Sequence, residues 1–251
     1  MSRKTNGEIY IGTSGWVYND WNRIFYPEDL RPKERLRYFS DHFKTTEINY
    51  SFYHLPNSKT YEDWYNQTPD NFIFAVKASR FITHVRRLKD VKSAWDNFLE
   101  NALYLKEKLG PVLFQLPPSF RATRENVKRL EDLLEQVVTE DIRVAFEFRH
   151  ETWCADEIYR IMKKHDAAWV IADSPRYPKA EVVTSDFIYI RMHGSEELFS
   201  SRYSIEEIKN QAGRIKTWSS NGFDIYTYFN NDYHGYAIEN ARELLELLNP
   251  V

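Results

Sequence analysis

The 251-residue sequence predicts an α/β fold, a (β/α)8 TIM barrel that forms a single domain. Three observations predict it: eight short strand patterns, a helical pattern or long connection after each strand, and a polar face on most strands. We expect a flexible N-terminal tail at residues 1–7 and one TIM-barrel domain at residues 8–251. A doubly wound open sheet is the alternative, but it usually carries a phosphate loop, and the sequence contains neither G-x-G-x-x-G nor a Walker motif.

The predicted strands are short stretches in which apolar and polar residues alternate or apolar residues run together. They span residues 9–12, 45–53, 72–79, 112–116, 143–150, 168–172, 187–193 and 224–230. Helical patterns lie between and after them at residues 33–43, 60–66, 91–109, 124–138, 156–165, 205–218 and 237–248. The first strand leads into a loop with turn signals at Gly15 and Asn19, and Gly110 with Pro111 is expected to end the helix at 91–109.

The strand at residues 143–150, RVAFEFRH, shows the two-faced pattern most clearly. Alternation sends Phe146 and Phe148 to one face and Glu147 and Arg149 to the other. In a barrel the apolar face packs on the outer helices, whereas the other face points inward and its carboxyl end lines the active-site mouth. A purely structural barrel would fill these inner layers with Val, Ile and Leu. The inward polar residues therefore predict a functional pocket.

Composition excludes several classes of protein. The net charge is only −3 and the isoelectric point about 6.2, so no overall positive field favours nucleic acid or an anionic membrane. Cys154 is the single cysteine, which excludes an intrachain disulfide and a multi-cysteine metal site. Residues 1–7 lack the apolar core of a signal peptide, and no apolar run approaches the roughly 20 residues of a transmembrane helix. We expect a soluble cytoplasmic protein.

Inward positions and strand ends supply the candidate site residues. We assign acid–base catalysis to Glu47, Lys77, Glu147 and His193. Substrate binding is assigned to Ser14, Asn49, Gln115, Arg149, Asp173, Arg191 and Asn230, with Trp16 as a stacking wall. Other roles stay open: Glu147 and Arg149 could form a structural ion-pair network, and Lys77 could be a Schiff-base nucleophile, a general acid or an anion anchor. His193 could be a base, a metal ligand or a buried core histidine.

The loop at residues 80–89, RFITHVRRLK, mixes basic and apolar side chains. Such a mixture could contact a phosphate or a nucleic-acid backbone. An ordinary solvated start of a helix explains the same residues.

Seven ordered segments resemble one family along almost the whole chain. They are GTSGWVYNDW, TEINYSFYHLP, FAVKASRFITH, LGPVLFQLPPSF, AFEFRHETW, RMHG and YFNNDYHGYAIENA. In these segments the sequence resembles the YecE-like family, domain of unknown function 72. The resemblance implies a TIM barrel and no settled activity. By position it adds His84 and Asn231 to the residues above. We include His84 and Tyr228 as substrate-binding candidates. Residues 174–185 and 195–203 match no motif.

Three functions agree with these residues. The leading hypothesis is an enzyme, a hydrolase, lyase or isomerase, that uses acid–base chemistry on a small polar anion held by Lys77, Arg149 and Arg191. The second is a non-catalytic protein that binds nucleic acid or a metabolite through the same mouth. The third is a metal-dependent hydrolase or isomerase whose ligands would be Glu47, Glu147, Asp173 and His193. No cofactor is predicted under the first two hypotheses, and the third alone needs a divalent metal.

Overall fold

The computed structural model describes residues 6–138 and 142–249. Within these ranges the strands are β1 (Ile9–Thr13), β2 (Thr45–Ile48), β3 (Ile73–Lys77), β4 (Leu109–Gln115), β5 (Val144–Glu147), β6 (Ala168–Trp169), β7 (Ile171–Asp173), β8 (Phe187–Met192) and β9 (Asp224–Phe229). Residues 1–5 of the predicted tail lie outside the described ranges. Gly7 is attached to the body of the protein, because its amide donates to the Ser219 carbonyl at 2.9 Å and its carbonyl accepts from the Ser219 hydroxyl at 2.8 Å.

Helices separate most of the strands. They are α1 (Arg35–Ser40), α2 (Tyr50–Tyr53), α3 (Ser58–Gln67), α4 (Lys92–Ala102), α5 (Arg124–Val137), α6 (Asp156–Lys164), α7 (Ile205–Ser220) and α8 (Tyr236–Leu248). Short 3-10 turns cover Asn19–Trp21, Pro32–Glu34, Leu103–Lys108, Glu151–Trp153 and Tyr233–Gly235, and a π-helical turn covers Phe81–Val85. Among the helices of the described ranges, none combines the length and the apolar character needed to cross a bilayer.

All strand pairs are parallel, and they form two sheets. One sheet has the order β1-β9-β8-β7 and the other the order β2-β3-β4-β5-β6. The predicted sixth strand is divided at Val170, whose amide donates to Phe146 of β5 while the next residues pair with β8. The predicted parallel α/β fold is therefore confirmed, but the hydrogen-bonded ladders form two sheets and no closed eight-strand barrel.

The two sheets also approach each other between β1 and β2. The Thr46 hydroxyl donates to the Thr13 carbonyl at 3.0 Å. At Gly12, a Cβ atom would lie 2.1 Å from the Thr45 carbonyl oxygen, so only glycine permits this approach. Between β1 and β2, a side-chain hydrogen bond and close backbone packing take the place of a backbone hydrogen-bond ladder.

The core has two parts, as the alternation predicts. On the outer side of the strands, residues such as Phe146 and Ile190 pack with apolar residues of the helices. A second cluster contains the small residues Ala75 and Ala145 together with the large Tyr189. Tyrosine and alanine thus take inner positions where Val, Ile and Leu were expected for a structural barrel. The tyrosines bring hydroxyl groups into the interior beneath the polar residues.

The predicted strand at residues 45–53 is wrong in its second half. β2 ends at Ile48, Asn49 has helical backbone angles, and α2 follows directly. Alternation alone cannot detect this turn, because the polar residues after Ile48 suit both structures. The Ser51 hydroxyl holds the turn by donating to the Lys77 carbonyl at 2.6 Å, which places Asn49 beside the end of β3.

The prediction for Gly110 and Pro111 is also wrong. The helix α4 ends earlier, a 3-10 turn follows, and both residues lie inside β4. A Cβ atom at position 110 would lie 2.6 Å from the Ile73 side chain, so glycine is required by the close approach of β4 to β3.

Candidate active site

A cavity of about 890 Å³ lies at the carboxyl ends of the strands. Seven of the predicted site residues line it: Asn49, Lys77, His84, Gln115, Arg149, Arg191 and Asn230. Nine other residues complete the lining: Tyr18, Asn19, Asp20, Phe52, Tyr53, Arg80, Phe199, Asp232 and Tyr233. The cavity therefore combines cationic, amide, aromatic and acidic side chains.

Arg191 is the centre of a buried charge network beneath the cavity, and it is only 1% exposed. Its Nε and Nη2 donate to the two oxygens of Glu47 at 3.0 and 2.7 Å, and its Nη1 donates to Glu147 at 2.5 Å. The Tyr189 hydroxyl adds a further bond to Glu47 at 2.6 Å. Burial alone would raise the pKa of Glu47, but the charge of Arg191 outweighs it and lowers that pKa. Glu47 is therefore ionised at neutral pH.

Glu147 is engaged in the same way. It accepts from Arg149 Nε at 2.6 Å and from Arg191, and it lies 3.2 Å from His193 Nε2. Burial would raise the pKa of Glu147, but the charges of Arg149 and Arg191 hold it well below its usual range. Glu47 and Glu147 thus act on the cavity mainly as fixed charges that orient the two arginines.

His193 lies behind the cavity wall and is fully buried. Its Nδ1 is 3.0 Å from the amide nitrogen of Asn230, and its Nε2 faces Glu147. An amide nitrogen only donates, so Nδ1 accepts from Asn230. The proton of the neutral ring is therefore on Nε2, which donates a hydrogen bond to Glu147. Burial lowers the pKa of His193, which keeps the ring neutral. Asn230 therefore separates His193 from the cavity that was predicted to use it.

Lys77 ends β3, lines the cavity and is 8% exposed. Its ammonium group lies 4.3 Å from the centre of the Phe52 ring and forms no hydrogen bond or ion pair with any residue that the structure describes. Burial, assisted by the charge of Arg191, lowers the pKa of Lys77 to about 7. This amine can gain or lose a proton near neutral pH.

Further nitrogen groups surround the lysine. Arg149 lies against Tyr177, with its guanidinium 4.3 Å from the ring centre and Nη1 3.2 Å from the hydroxyl. Burial and the charge of Lys77 lower the pKa of His84 to about 4, so this ring is neutral. Arg80 lines the cavity at its exposed side.

The two segments without a recognised motif also reach the site. Tyr177, from residues 174–185, contacts Arg149 and lies edge-on to His193 with ring centres 6.1 Å apart. Phe199, from residues 195–203, lines the cavity and also packs on His193. Nothing in the alternation of the strands could identify either residue.

Asp232 is the acidic residue that the sequence analysis missed. Burial raises the pKa of its carboxyl group to about 8, and its Oδ1 atom has no hydrogen-bond partner within the described ranges. It lies beyond the end of β9, where the periodic pattern stops. The sequence NND at residues 230–232 was a usable signal, because such polar runs commonly follow strand ends.

Besides Glu47, Glu147 and His193, four predicted site residues lie outside the lining. Ser14 is buried below it, with its hydroxyl 3.4 Å from Arg191 Nη2. Trp16 packs edge-on against Trp64, and Tyr228 bonds to the Thr45 hydroxyl at 2.8 Å in the interior. The fourth is Asp173, described next.

Of the residues proposed as metal ligands, Glu147 and His193 lie 3.2 Å apart, but Asp173 does not join them. Asp173 pairs with Lys179 at 2.5 Å and lines a different cavity. Glu47 and Glu147 are occupied by Arg191. Across the described ranges, no three His, Cys, Asp or Glu side chains form a group that could hold a metal ion. The arrangement does not fit the metal-dependent hypothesis.

The basic loop at residues 80–89 is held partly by its own contacts. Arg86 bonds to the Lys89 carbonyl at 3.1 Å and pairs with Asp90, and Arg87 bonds to the Ser119 hydroxyl at 3.2 Å. Arg80 is the arginine of this loop that lines the cavity.

Comparisons with known proteins, by sequence and by structure, both match this chain to members of one family. The family model "Protein of unknown function DUF72" matches residues 10–251. The UPF0759 protein YunF of Bacillus subtilis is 29% identical over 272 residues, which cover 96% of this chain and 95% of YunF. The UPF0759 protein YecE of Escherichia coli K12 is 30% identical over 112 residues, 45% of this chain and 39% of YecE.

Among solved structures, a DUF72 family protein from Thermotoga maritima has a TM-score of 0.87 at 32% identity, covering 96% of this chain and 99% of that one. A DUF72 family protein from Enterococcus faecalis has a TM-score of 0.83 at 22% identity, covering 97% of this chain and 96% of that one. A xylose isomerase domain containing protein from Salmonella typhimurium has a TM-score of 0.56 at 9% identity, with 87% and 93% covered, a likeness of fold alone. The fold is TIM-barrel-like.

Proposed function

This chain belongs to the DUF72 family, and we propose that it is an enzyme that carries out acid–base chemistry on a small anionic substrate in the cavity at the strand ends. One observation carries the proposal: Lys77 lines this cavity, its amine forms no hydrogen bond or ion pair with any described residue, and burial lowers its pKa to about 7. A general acid–base works best when its pKa is near the working pH. We also propose that the two sheets are the halves of a (β/α)8 barrel, opened at Val170 and between β1 and β2.

The charges around the cavity favour an anion. The carboxylates of Glu47 and Glu147 are matched by Arg191 and Arg149, which bind them directly. Lys77 in its protonated form then remains as an excess positive charge, while at the exposed side Arg80 and Asp20 carry opposite charges. Below pH 8 Asp232 is mainly protonated and adds no negative charge, because burial raises its pKa to about 8. In a partly desolvated site such an excess attracts phosphate, sulfate or carboxylate groups.

The residues have distinct roles in this proposal. Lys77 transfers the proton and, when protonated, holds the anionic group together with Arg149 and Arg80. Glu47 and Glu147 keep the arginines in place, so in this proposal they are positioning residues and not the acid–base groups to which the sequence analysis assigned them. Their lowered pKa values support this assignment, since a general acid needs a proton at neutral pH.

Two substitutions at one position separate binding from catalysis. Lys77→Arg keeps a positive charge but cannot release a proton at neutral pH, whereas Lys77→Met removes both properties. Sulfate binding, measured by calorimetry at pH 6, should survive in Lys77→Arg and be lost in Lys77→Met. Lys128→Met, an exposed change on α5, is the matched control.

Turnover is then measured on a panel of phosphorylated and carboxylated metabolites. On any compound that the wild type converts, both Lys77 variants should lose activity. Full activity of Lys77→Arg would show that proton transfer by this residue is not needed. Unchanged sulfate binding by Lys77→Met would show that the proposed anion site at Lys77 does not exist.

A further inference from the structure

The lining of the cavity is divided between two chemical types. Lys77 ends β3 and Arg149 follows β5, both in the five-stranded sheet. Asn49 follows β2, and Asp232 follows β9 in the four-stranded sheet. Because β2 and β9 both lie next to β1, these two oxygen-bearing side chains share one side of the cavity, while Lys77 and Arg149 lie on the side formed by β3 to β5. Arg191 on β8 also lines the cavity, but its charge is paired with Glu47 and Glu147.

The oxygen-bearing side contains two unpaired acceptor atoms, although the Asp232 carboxyl group also has a hydrogen bond with the Tyr18 hydroxyl. Asn49 Oδ1 and Asp232 Oδ1 are both buried, and neither accepts a hydrogen bond from any described residue. Buried acceptors in native proteins are nearly always paired, with protein, water or ligand. Both residues line the same cavity, so a molecule bound there can supply the missing donors.

The donors that fit best are hydroxyl groups. An ammonium group would also donate, but it would meet the positive charges of Lys77 and Arg149 in the same cavity. A hydroxyl is neutral and both donates and accepts. It therefore suits Asn49 as well as Asp232, whose carboxyl group keeps a proton up to about pH 8.

Size and shape agree with a molecule larger than a simple anion. The cavity volume of about 890 Å³ falls in the range of small-molecule sites. Tyr53 and Tyr233 line it and are more than half exposed, so their rings are available to pack on the C–H faces of a ligand.

We propose that the substrate is a small polyhydroxylated anion, with its carboxylate or phosphate at Lys77 and Arg149 and its hydroxyl groups at Asn49 and Asp232. The cationic half of this assignment rests on the proposed function. The hydroxyl-binding half is independent of it.

The test compares anions that differ in hydroxyl groups alone. Gluconate and hexanoate form one pair, and glycerol 3-phosphate and propyl phosphate form the other, so the two pairs distinguish a carboxylate from a phosphate. Calorimetry at pH 6.5 should show that one hydroxylated member binds at least about tenfold more tightly than its partner, the effect of one or two net hydrogen bonds.

The variants Asn49→Leu and Asp232→Ala should lose this advantage but bind hexanoate or propyl phosphate as the wild type does. That unchanged binding also shows that each variant is folded. Asp232→Asn, which keeps the shape and the neutral charge, should retain most of the advantage.

The outcomes separate the two proposals. If anions bind in a Lys77-dependent way but hydroxyl groups give no gain, or if the gain survives both Asn49→Leu and Asp232→Ala, the hydroxyl side is wrong and the anion site stands. If no member of either pair binds, both proposals fail.

Discussion

Arg191 and Glu47 join the two sheets through a two-point ion pair. Arg191 lies on β8 of the four-stranded sheet and Glu47 on β2 of the other, and the guanidinium donates to both carboxylate oxygens at 3.0 and 2.7 Å. The pair therefore connects strands that share no backbone ladder. It also fixes the floor of the cavity.

Removing the arginine should destabilise the protein strongly. Arg191→Met leaves the carboxylates of Glu47 and Glu147 buried, and the loss of one partner of a buried ion pair typically costs about 3–5 kcal/mol. Urea unfolding at pH 7 measures the change. Arg23→Met, which removes an exposed pair with Glu28, should stay within about 0.5 kcal/mol. A loss below about 1 kcal/mol for Arg191→Met would contradict the central role of this residue.

Anion binding should weaken as the pH rises. Burial lowers the pKa of Lys77 to about 7, so the amine carries its charge below this pH and loses it above. Asp232 acts in the same direction, because it becomes negative above about pH 8. Sulfate is the suitable ligand, since it does not titrate in this range. Its affinity should fall by about tenfold or more between pH 6 and pH 8.5.

The same titration identifies the responsible group. The sulfate affinity of Lys77→Arg should stay at its pH 6 value until Asp232 begins to ionise, because arginine does not titrate in this pH range. An equally steep fall in Lys77→Arg would assign the effect to another residue.

Much of this site could be predicted from the alternation of single strands. Glu47, Lys77, Glu147 and Arg191 were placed on inward faces because a strand exposes alternate residues on opposite sides. Alternation gives the face but not the partner. It could not show that one arginine binds both carboxylates, the contact on which the proposed positioning role depends.

Asp232 and Phe199 could not be predicted in this way, because they lie where no periodicity remains. Asn49 was predicted from alternation as a substrate-binding residue, but the polar pattern conceals the turn on which it lies. The positions of Asp232 and Phe199 depend on tertiary packing. Phe199 has a left-handed backbone, and so does Gly235, the N-cap of α8. The division of the sixth strand at Val170 likewise follows from pairing with two different neighbours.

The amide of Asn230 should control the protonation of His193. Its nitrogen donates to Nδ1 at 3.0 Å, which favours the neutral ring, and burial lowers the pKa of His193 further. Asn230→Asp would place carboxylates at both ring nitrogens, since Glu147 already faces Nε2. The pKa of His193 should then rise by at least about one unit, as followed by nitrogen chemical shifts in NMR. Asn230→Leu, which adds no charge, is the control, and an equal rise in that variant would exclude the electrostatic explanation.

Asp232 should make the protein less stable as the pH rises from about 4 to about 8. Burial raises the pKa of this carboxyl group to about 8, whereas the unfolded chain releases the proton near pH 4. Between these values the folded state binds more protons, so stability is complete below the unfolded pKa and is lost as the pH rises through the folded one.

Asp232→Asn cannot release a proton and should not show this loss. Its free energy of unfolding relative to the wild type should therefore increase from pH 4 to pH 8, by about 2–5 kcal/mol. Urea unfolding of both proteins at pH 4.5, 6 and 8 measures the difference. Asp63→Asn on the exposed surface of α3 is the matched control, and it should change little over this range. If the difference between Asp232→Asn and the wild type were constant with pH, the carboxyl group would titrate normally and would be ionised in the cavity at neutral pH.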